Sequence, residues 1–426
     1  MVTETQSTLP TEKKFSLHED WAAVILGGLT ILLSILWLVV PVPSFSWANS
    51  EELFGKVLSA GNLGRVALQF IYVFITGTIG IALLGKPVRN FLIAFPLIFL
   101  LTVIAMIITG NGFIKSINLE AVIFSLSLGL LISNTIDLPE WFRSALTTEM
   151  FVKIGLVLLG TGVIFSDILK AGSLGLIQAL VVVVSVWYFA YWLCKKLKVD
   201  DELTMMISSA VSICGVSAAI ATAGAIKGDT KKLSYVISLV LVTAIPMMIF
   251  MPYIAKHFGF SEEVTGAWLG GSIDTTGAVV ASGSLVGETA LKISTIVKFS
   301  QNVLLGIAAL GISIFWTYTH KTGDANTPAK PTLGVIWERF PKFVLGFIAA
   351  SLIFSFLLSK GAVDSVKDSL KNIQTLWFVL AFTCIGLETK FSDLFNSESR
   401  KPLYAFLIAQ TFNILVTLVL AYLLFS

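Results

Sequence analysis

Apolar runs long enough to cross a bilayer recur along almost the whole chain, separated by short polar joints. A spanning helix needs roughly 20 mainly apolar residues. That measure predicts helices near 21–42, 66–85, 90–110, 120–134, 151–168, 173–194, 203–226, 233–255, 264–285, 293–317, 341–359, 374–390 and 403–425, numbered here as segments 1 to 13. Some are short or rich in Gly, Ser and Thr, so about 11 to 13 helices are expected. No polar stretch is long enough to fold separately. The pattern predicts an all-α polytopic membrane protein: an N-terminal segment, 1–20, then a single transmembrane domain, 21–426. Residues 1–20 do not read as a cleaved signal. Lys13 and Lys14 are balanced by Glu19 and Asp20, and the apolar run that follows is too long for a signal core.

Composition sharpens this picture. Of 426 residues, 56% are hydrophobic and 13% charged, where a soluble domain carries about 25% charged residues. Mean hydropathy is +0.88. The lipid bilayer is therefore the expected surrounding of most of the surface. The net charge of +3 is spread over loops, so no nucleic-acid partner is expected, since that needs a concentrated basic face. Cys194, Cys214 and Cys384 all lie in apolar segments and suggest neither a disulfide framework nor a metal site. His18, His257 and His320 are far apart, which gives a zinc centre little support. No phosphate loop, HExxH or GxSxG occurs, so no enzymatic activity is expected and no cofactor beyond a coupling ion.

Orientation follows from Lys and Arg in short loops. Lys13 and Lys14, Lys86 and Arg89, Lys195, Lys196 and Lys198, and Lys321, Lys330 and Arg339 fall on one side if every segment spans, which places them in the cytoplasm of a bacterial inner membrane. Lys227, Lys231 and Lys232 break the rule: either segment 7 does not fully cross or that loop is an exception.

An internal repeat is visible. Gly160 to Asp167 and Gly386 to Asp393 both read G-x-x-x-x-F-S-D, and each precedes a helix carrying one Gln, Gln178 or Gln410. The copies, around 151–195 and 374–425, start on opposite sides of the membrane. That is the relation of inverted repeats in secondary transporters. The alternative is chance similarity between two apolar segment ends.

Two segments depart from ordinary membrane composition. Segment 7 holds Ser212, Cys214, Gly215 and Ser217; segment 9 holds Ser272, Asp274, Thr275, Thr276 and Gly277. They share the pattern S-I-x-x-x-x-A-[AV]-[IV]-A. Gly lets a helix unwind and expose its backbone groups, which hydrocarbon tolerates only beside protein or a water-filled cavity. Half-helix N-termini then suit anions and carbonyl ends suit cations. The alternative is close helix packing. Asp274, mid-segment, marks an ion, proton or substrate path, or caps a half-helix. With Thr275 it is a possible Na⁺ site, since hard cations prefer oxygen. Lys298 is the candidate counter-charge to Asp274, or it snorkels to the interface. Gln301 and Asn302 extend its polar strip. Asn134, Gln178 and Gln410 are read as helix-to-helix hydrogen bonds, and Glu388 with Lys390 as a local pair.

The motifs Ile213-Cys214-Gly215-Val-Ser217-Ala, Gly271-Ser272-Ile273 with Val279-Val280-Ala281 and Gly283, the pair Val297-Lys298 and the Gly386-Leu387 end of segment 12 resemble those of the sulfate exporter family of bacterial inner-membrane proteins. The likeness covers the chain from about residue 150 onward. One departure is that many members have His-Glu where this chain has Asp274-Thr275. That family is related to the clan of sodium–proton antiporters and bile-acid sodium symporters. The resemblance implies an inverted-repeat secondary transporter fold with discontinuous helices, a core and a scaffold domain, and a possible homodimer. The expected function is transport of a small anion, such as sulfate or an organosulfonate, coupled to Na⁺ or H⁺. The alternatives are a cation–proton antiporter without an organic substrate, and a passive channel or scaffold.

Overall fold

Short polar loops and long apolar runs leave each helix to satisfy its own backbone, as lipid requires. The computed structural model describes residues 16–36, 38–116, 121–319, 334–390 and 400–426. Lys13, Lys14, His320, Lys321, Lys330, Phe391, Ser392 and Asp393 lie outside them. Fifteen helices carry the argument: α1 (Glu19–Leu36), α2 (Ala60–Leu83), α3 (Val88–Thr109), α4 (Ala121–Thr135), α5 (Thr148–Leu159), α6 (Phe165–Lys196), α7 (Asp201–Ser209), α8 (Val216–Ile226), α9 (Thr230–His257), α10 (Glu262–Ser272), α11 (Thr276–Val286), α12 (Glu288–Thr319), α13 (Phe343–Leu352), α14 (Lys360–Glu388) and α15 (Lys401–Phe425). Among the described residues, nine helical stretches are long and apolar enough to cross a membrane. Their outward faces are aliphatic at helical spacing: Leu68, Ile71, Ile75 and Ile79 on α2, and Leu176, Ile177, Leu180 and Val184 on α6 are exposed. Such a surface suits lipid, where Leu and Ile cost nothing.

Segments 7 and 9 do not cross. Each is a re-entrant hairpin. In the first, α7 runs through a π-helical turn at Ala210–Cys214, reverses at Gly215, and returns as α8. Its two ends meet: the Lys232 ammonium contacts Asp200 at 2.7 Å and Glu202 at 3.2 Å, and the Asp229 amide donates to Glu202. Asp200 caps α7, Lys227 closes α8 in the left-handed region, and Asp229 caps α9. The second hairpin is α10, a break at Ile273–Thr275, and α11. Its ends also meet, because Glu262 accepts from the Thr289 and Ala290 amides. Ser261 caps α10 and Thr275 caps α11. The first descending arm, Asp201 through Cys214, is about 21 Å long at 1.5 Å per residue. That is short of the roughly 30 Å hydrocarbon core, so the arm stops inside it.

The first hairpin's mouth lies at the N-terminal end of α9 and the second's at its C-terminal end. The hairpins therefore enter from opposite ends of the bundle. This removes the anomaly at Lys227, Lys231 and Lys232. They share an end with Lys195 and Lys198, and Arg339 reaches Gly224 from the same end. Further bonds tie the other basic loops there: Leu17 to Leu83, Asn90 to Ser144, Lys390 to Asp137 and Lys342 to Asp20. The excess of Lys and Arg makes this end cytoplasmic.

The two Gln-bearing helices lie side by side. The C-terminal residues of α15 line one cavity with Asp167 and Lys170 of α6, so the two run antiparallel. Elsewhere, α4 and α14 touch backbone to backbone. A methyl group on Gly129 would meet the Thr383 carbonyl at 2.6 Å and the Gly386 Cα at 2.8 Å. Gly129→Ala is therefore expected to cost about 1–3 kcal/mol by overpacking, read as an earlier thermal transition in detergent.

Candidate functional site at the hairpin tips

The two breaks meet inside the bundle. Gly215 has φ +59°, and a Cβ there would lie 2.6 Å from Val240, 3.0 Å from the Asp274 Cβ and 3.1 Å from its carbonyl oxygen. Glycine is required twice over, for the backbone angle and for the close approach. The shared sequence pattern places Cys214-Gly215 and Asp274-Thr275 at equivalent points, and the fold brings these points together.

Behind the tips sits a buried polar layer. Asp274 and Lys298 are each 1% exposed. The Lys298 ammonium donates to the Ile213 carbonyl and to Gln301 Oε1, both at 2.9 Å. Gln301 Nε2 donates to the Ser212 carbonyl at 2.9 Å and toward that of Gly271 at 3.4 Å. The lysine thus neither snorkels nor ion-pairs with Asp274 among its described hydrogen bonds. The carbonyls left open where α7 unwinds capture it instead. Asp274 Oδ2 and Ser272 Oγ are buried without a hydrogen-bond partner. From α15, Gln410 Nε2 donates to the Ser272 carbonyl at 2.8 Å, and Asn413 Nδ2 to the Val211 carbonyl at 3.0 Å and toward Ser272 at 3.3 Å. From α6, Gln178 Nε2 donates to the Ala267 carbonyl at 2.8 Å. The glutamines are interhelical donors, as their sequence setting suggests, and both serve α10.

In front of the tips is a cavity of about 320 Å³ that opens beside His18, Glu19 and Glu338 at the cytoplasmic end. Cys214, Ser217, Thr276 and Asn302 line its inner part, and Lys153, Arg339 and Glu149 its outer part. Asn302 Nδ2 donates to the Thr276 hydroxyl at 3.3 Å, while its Oδ1 and the Arg339 Nε are buried without partners. The amino ends of α8 and α11 start at this cavity. Thr275 and Gly277 line a smaller neighbouring cavity of about 170 Å³ with Thr148 and Glu388. Ser212, Ser272, Asp274, Lys298 and Gln301 thus form the supporting layer, and Cys214, Ser217, Thr276 and Asn302 the accessible one.

Some residues escaped the sequence reading. Lys153 stands among Glu19 at 2.9 Å, Asp20 at 3.0 Å and Glu149 at 3.6 Å. The i,i+4 spacing of Glu149 and Lys153 within an apolar run was the available signal. Asn413 lies one turn from Gln410, and that spacing marks a shared face. Lys390 pairs with Asp137 on the loop after α4, at 2.5 Å, rather than with Glu388. Asn134 reaches the Thr389 carbonyl at 3.1 Å.

A polytopic helical bundle with apolar outer faces, basic loops at one end and two re-entrant hairpins defines a multi-pass bacterial membrane protein. The chain belongs to the family described as Conserved hypothetical protein 698, whose profile matches residues 93–405. It is similar to the UPF0324 membrane protein of Rhodopirellula baltica, 41% identical over 353 residues, covering 80% of this chain and 64% of that protein. A UPF0324 membrane protein of Nitratidesulfovibrio vulgaris is 36% identical over 362 residues, covering 82% of this chain and 62% of the other. The chain thus spans less than two thirds of either relative. A shorter relative in Corynebacterium glutamicum is 27% identical over 305 residues and is covered to 84%. None of these descriptions carries an activity. No solved structure matches the chain.

Proposed function

We propose that this protein is a secondary transporter of a small anion. One observation carries the reading: two re-entrant hairpins enter from opposite ends and meet at Gly215 and Asp274, at the base of a polar cavity of about 320 Å³. Broken helices that meet at mid-depth are how transporters bind solutes away from lipid. The inner end of the cavity suits an anion, although its outer part carries the carboxyl groups of Glu19, Asp20, Glu149 and Glu338 against Lys153 and Arg339. The amino ends of α8 and α11 contribute positive dipole ends, Ser217, Thr276 and Asn302 offer hydroxyl and amide donors, and the Arg339 guanidinium stands at the wall with a free Nε. Sulfate or an organosulfonate suits this donor set and agrees with the family resemblance.

A second candidate repeat, distinct from the copies around 151–195 and 374–425, belongs to the same reading. The hairpin–helix units α7–α9 and α10–α12 share a tip motif and have mouths at opposite ends, as inverted repeats do. The antiparallel pair α6 and α15 supports it. The hairpins with α6, α9, α12 and α15 then form a core, and α1–α5, α13 and α14 a scaffold. A cation–proton antiporter is the second reading, favoured by the buried Asp274 carboxylate with its unpartnered oxygen.

A ligand of the native state raises stability by mass action, about 2.7 kcal/mol at a concentration 100 times Kd. Thermal unfolding of the purified protein with sulfate, sulfonates and carboxylates, each as Na⁺ and as K⁺ salt, tests the reading. The expected result is stabilisation by one anion class. Stabilisation by Na⁺ alone, with none from any anion, would move the assignment to the antiporter.

A further inference from the structure

We infer that Lys298 is a resident cation: its ammonium fills the carbonyl site at the first hairpin tip where a coupling Na⁺ would otherwise sit, so the protein works without bound sodium. This rests on the transporter reading for its meaning, but not for its test.

Where a helix unwinds, its last carbonyls lose their intrahelical donors and carry the negative end of the helix dipole. In broken-helix carriers those ends coordinate the coupling ion. Here the ends are already satisfied, and by nitrogen. The Ile213 carbonyl takes the Lys298 ammonium at 2.9 Å, and the Ser212 carbonyl takes Gln301 Nε2 at 2.9 Å. On the second hairpin the Ser272 carbonyl takes Gln410 at 2.8 Å, with Asn413 at 3.3 Å. A sodium ion placed at this tip would have to displace a cation of its own charge.

The lysine is also held too firmly to be incidental. It is 1% exposed, and Gln301, one turn further along α12, receives its third-residue hydrogen bond at 2.9 Å. The same Gln301 reaches both hairpins, through Ser212 and Gly271. A charge this deep is costly unless it has work and partners. The Asp274 carboxyl, on the tip that abuts Gly215, lies in the same layer with an unpartnered oxygen. Lysine offers what Na⁺ would, a positive charge at the junction of two half-helices, but tethered to α12.

The test uses the purified full-length protein in detergent. Its unfolding temperature is measured in NaCl, KCl and N-methylglucamine chloride at equal ionic strength. The expected result is no sodium-specific shift. A saturable rise with Na⁺ over K⁺ and N-methylglucamine in the unaltered protein overturns the proposal. Lys298→Ala empties the site and is expected to gain the sodium-specific rise that the parent lacks. A folded Lys298→Ala protein that remains indifferent to Na⁺ overturns it as well. If that variant does not fold, the unaltered protein still decides. Running the anion panel in the same three salts separates the two ideas: no anion response defeats the transporter reading, whereas sodium indifference stands or falls by itself.

Discussion

Gly215→Ala is expected to abolish solute-dependent stabilisation and to weaken the fold by about 3 kcal/mol. Two costs combine. A side chain at φ +59° with ψ −111° lies outside the basins of L-residues, which costs about 1–3 kcal/mol. The added methyl would press on Val240 at 2.6 Å and on Asp274 at 3.0 Å, and overpacking costs a further 1–3 kcal/mol or so. The tip would separate from the second hairpin, and the inner wall of the cavity would go with it. Gly28→Ala is the control, since a methyl there has nothing within 4 Å and lies in a helix where alanine is favoured by about 1 kcal/mol. An unfolding temperature for Gly215→Ala equal to that of Gly28→Ala would refute the tip-to-tip packing.

Asp274→Asn is the second large effect, and it falls on function. The amide matches the carboxylate in shape and leaves the backbone break, the Thr275 cap and the Lys298 bonds to Ile213 and Gln301 in place. The protein should therefore still purify as a folded species. What disappears is a buried ionisable carboxyl whose Oδ2 no protein donor satisfies. Under the proposed function, ion-driven flux in proteoliposomes should fall to roughly a tenth or less of the parent rate, the scale of a 1–3 kcal/mol coupling energy. Retained coupled flux would remove Asp274 from the mechanism while leaving the cavity residues Ser217, Thr276 and Asn302 as the site.

Much of this architecture was legible in the chain. Each of the thirteen apolar runs corresponds to helix, and Asp274, Lys298 and Gln301 do gather in one buried layer. Crossing and returning could not be told apart by hydropathy, because two half-length arms have the same length and apolar content as one span. The signal lay instead in charge and glycine. Lys227, Lys231 and Lys232 sit on the wrong side only if segment 7 crosses, and Gly215 marks where it turns. The hydrogen-bond partner of Lys298 on the first hairpin was hidden for a related reason. A sequence displays side-chain charges such as Asp274 but not carbonyls stripped of their donors, and it is the Ile213 carbonyl that holds the ammonium. The pairing of Lys153 with Glu19 and Asp20 was invisible because α1 and α5 are far apart in sequence and meet only in the fold.

The re-entrant form of the two hairpins has a topological consequence. A segment that leaves by the face it entered is silent in the arithmetic of membrane orientation. Removing either hairpin would leave every downstream helix facing as before, with its basic loops still on the correct side. The hairpin tips that close the inner end of the cavity are thus decoupled from the spans that orient the chain. Sequence at the tips is free to change its polar content without contending with the signals that insert the protein.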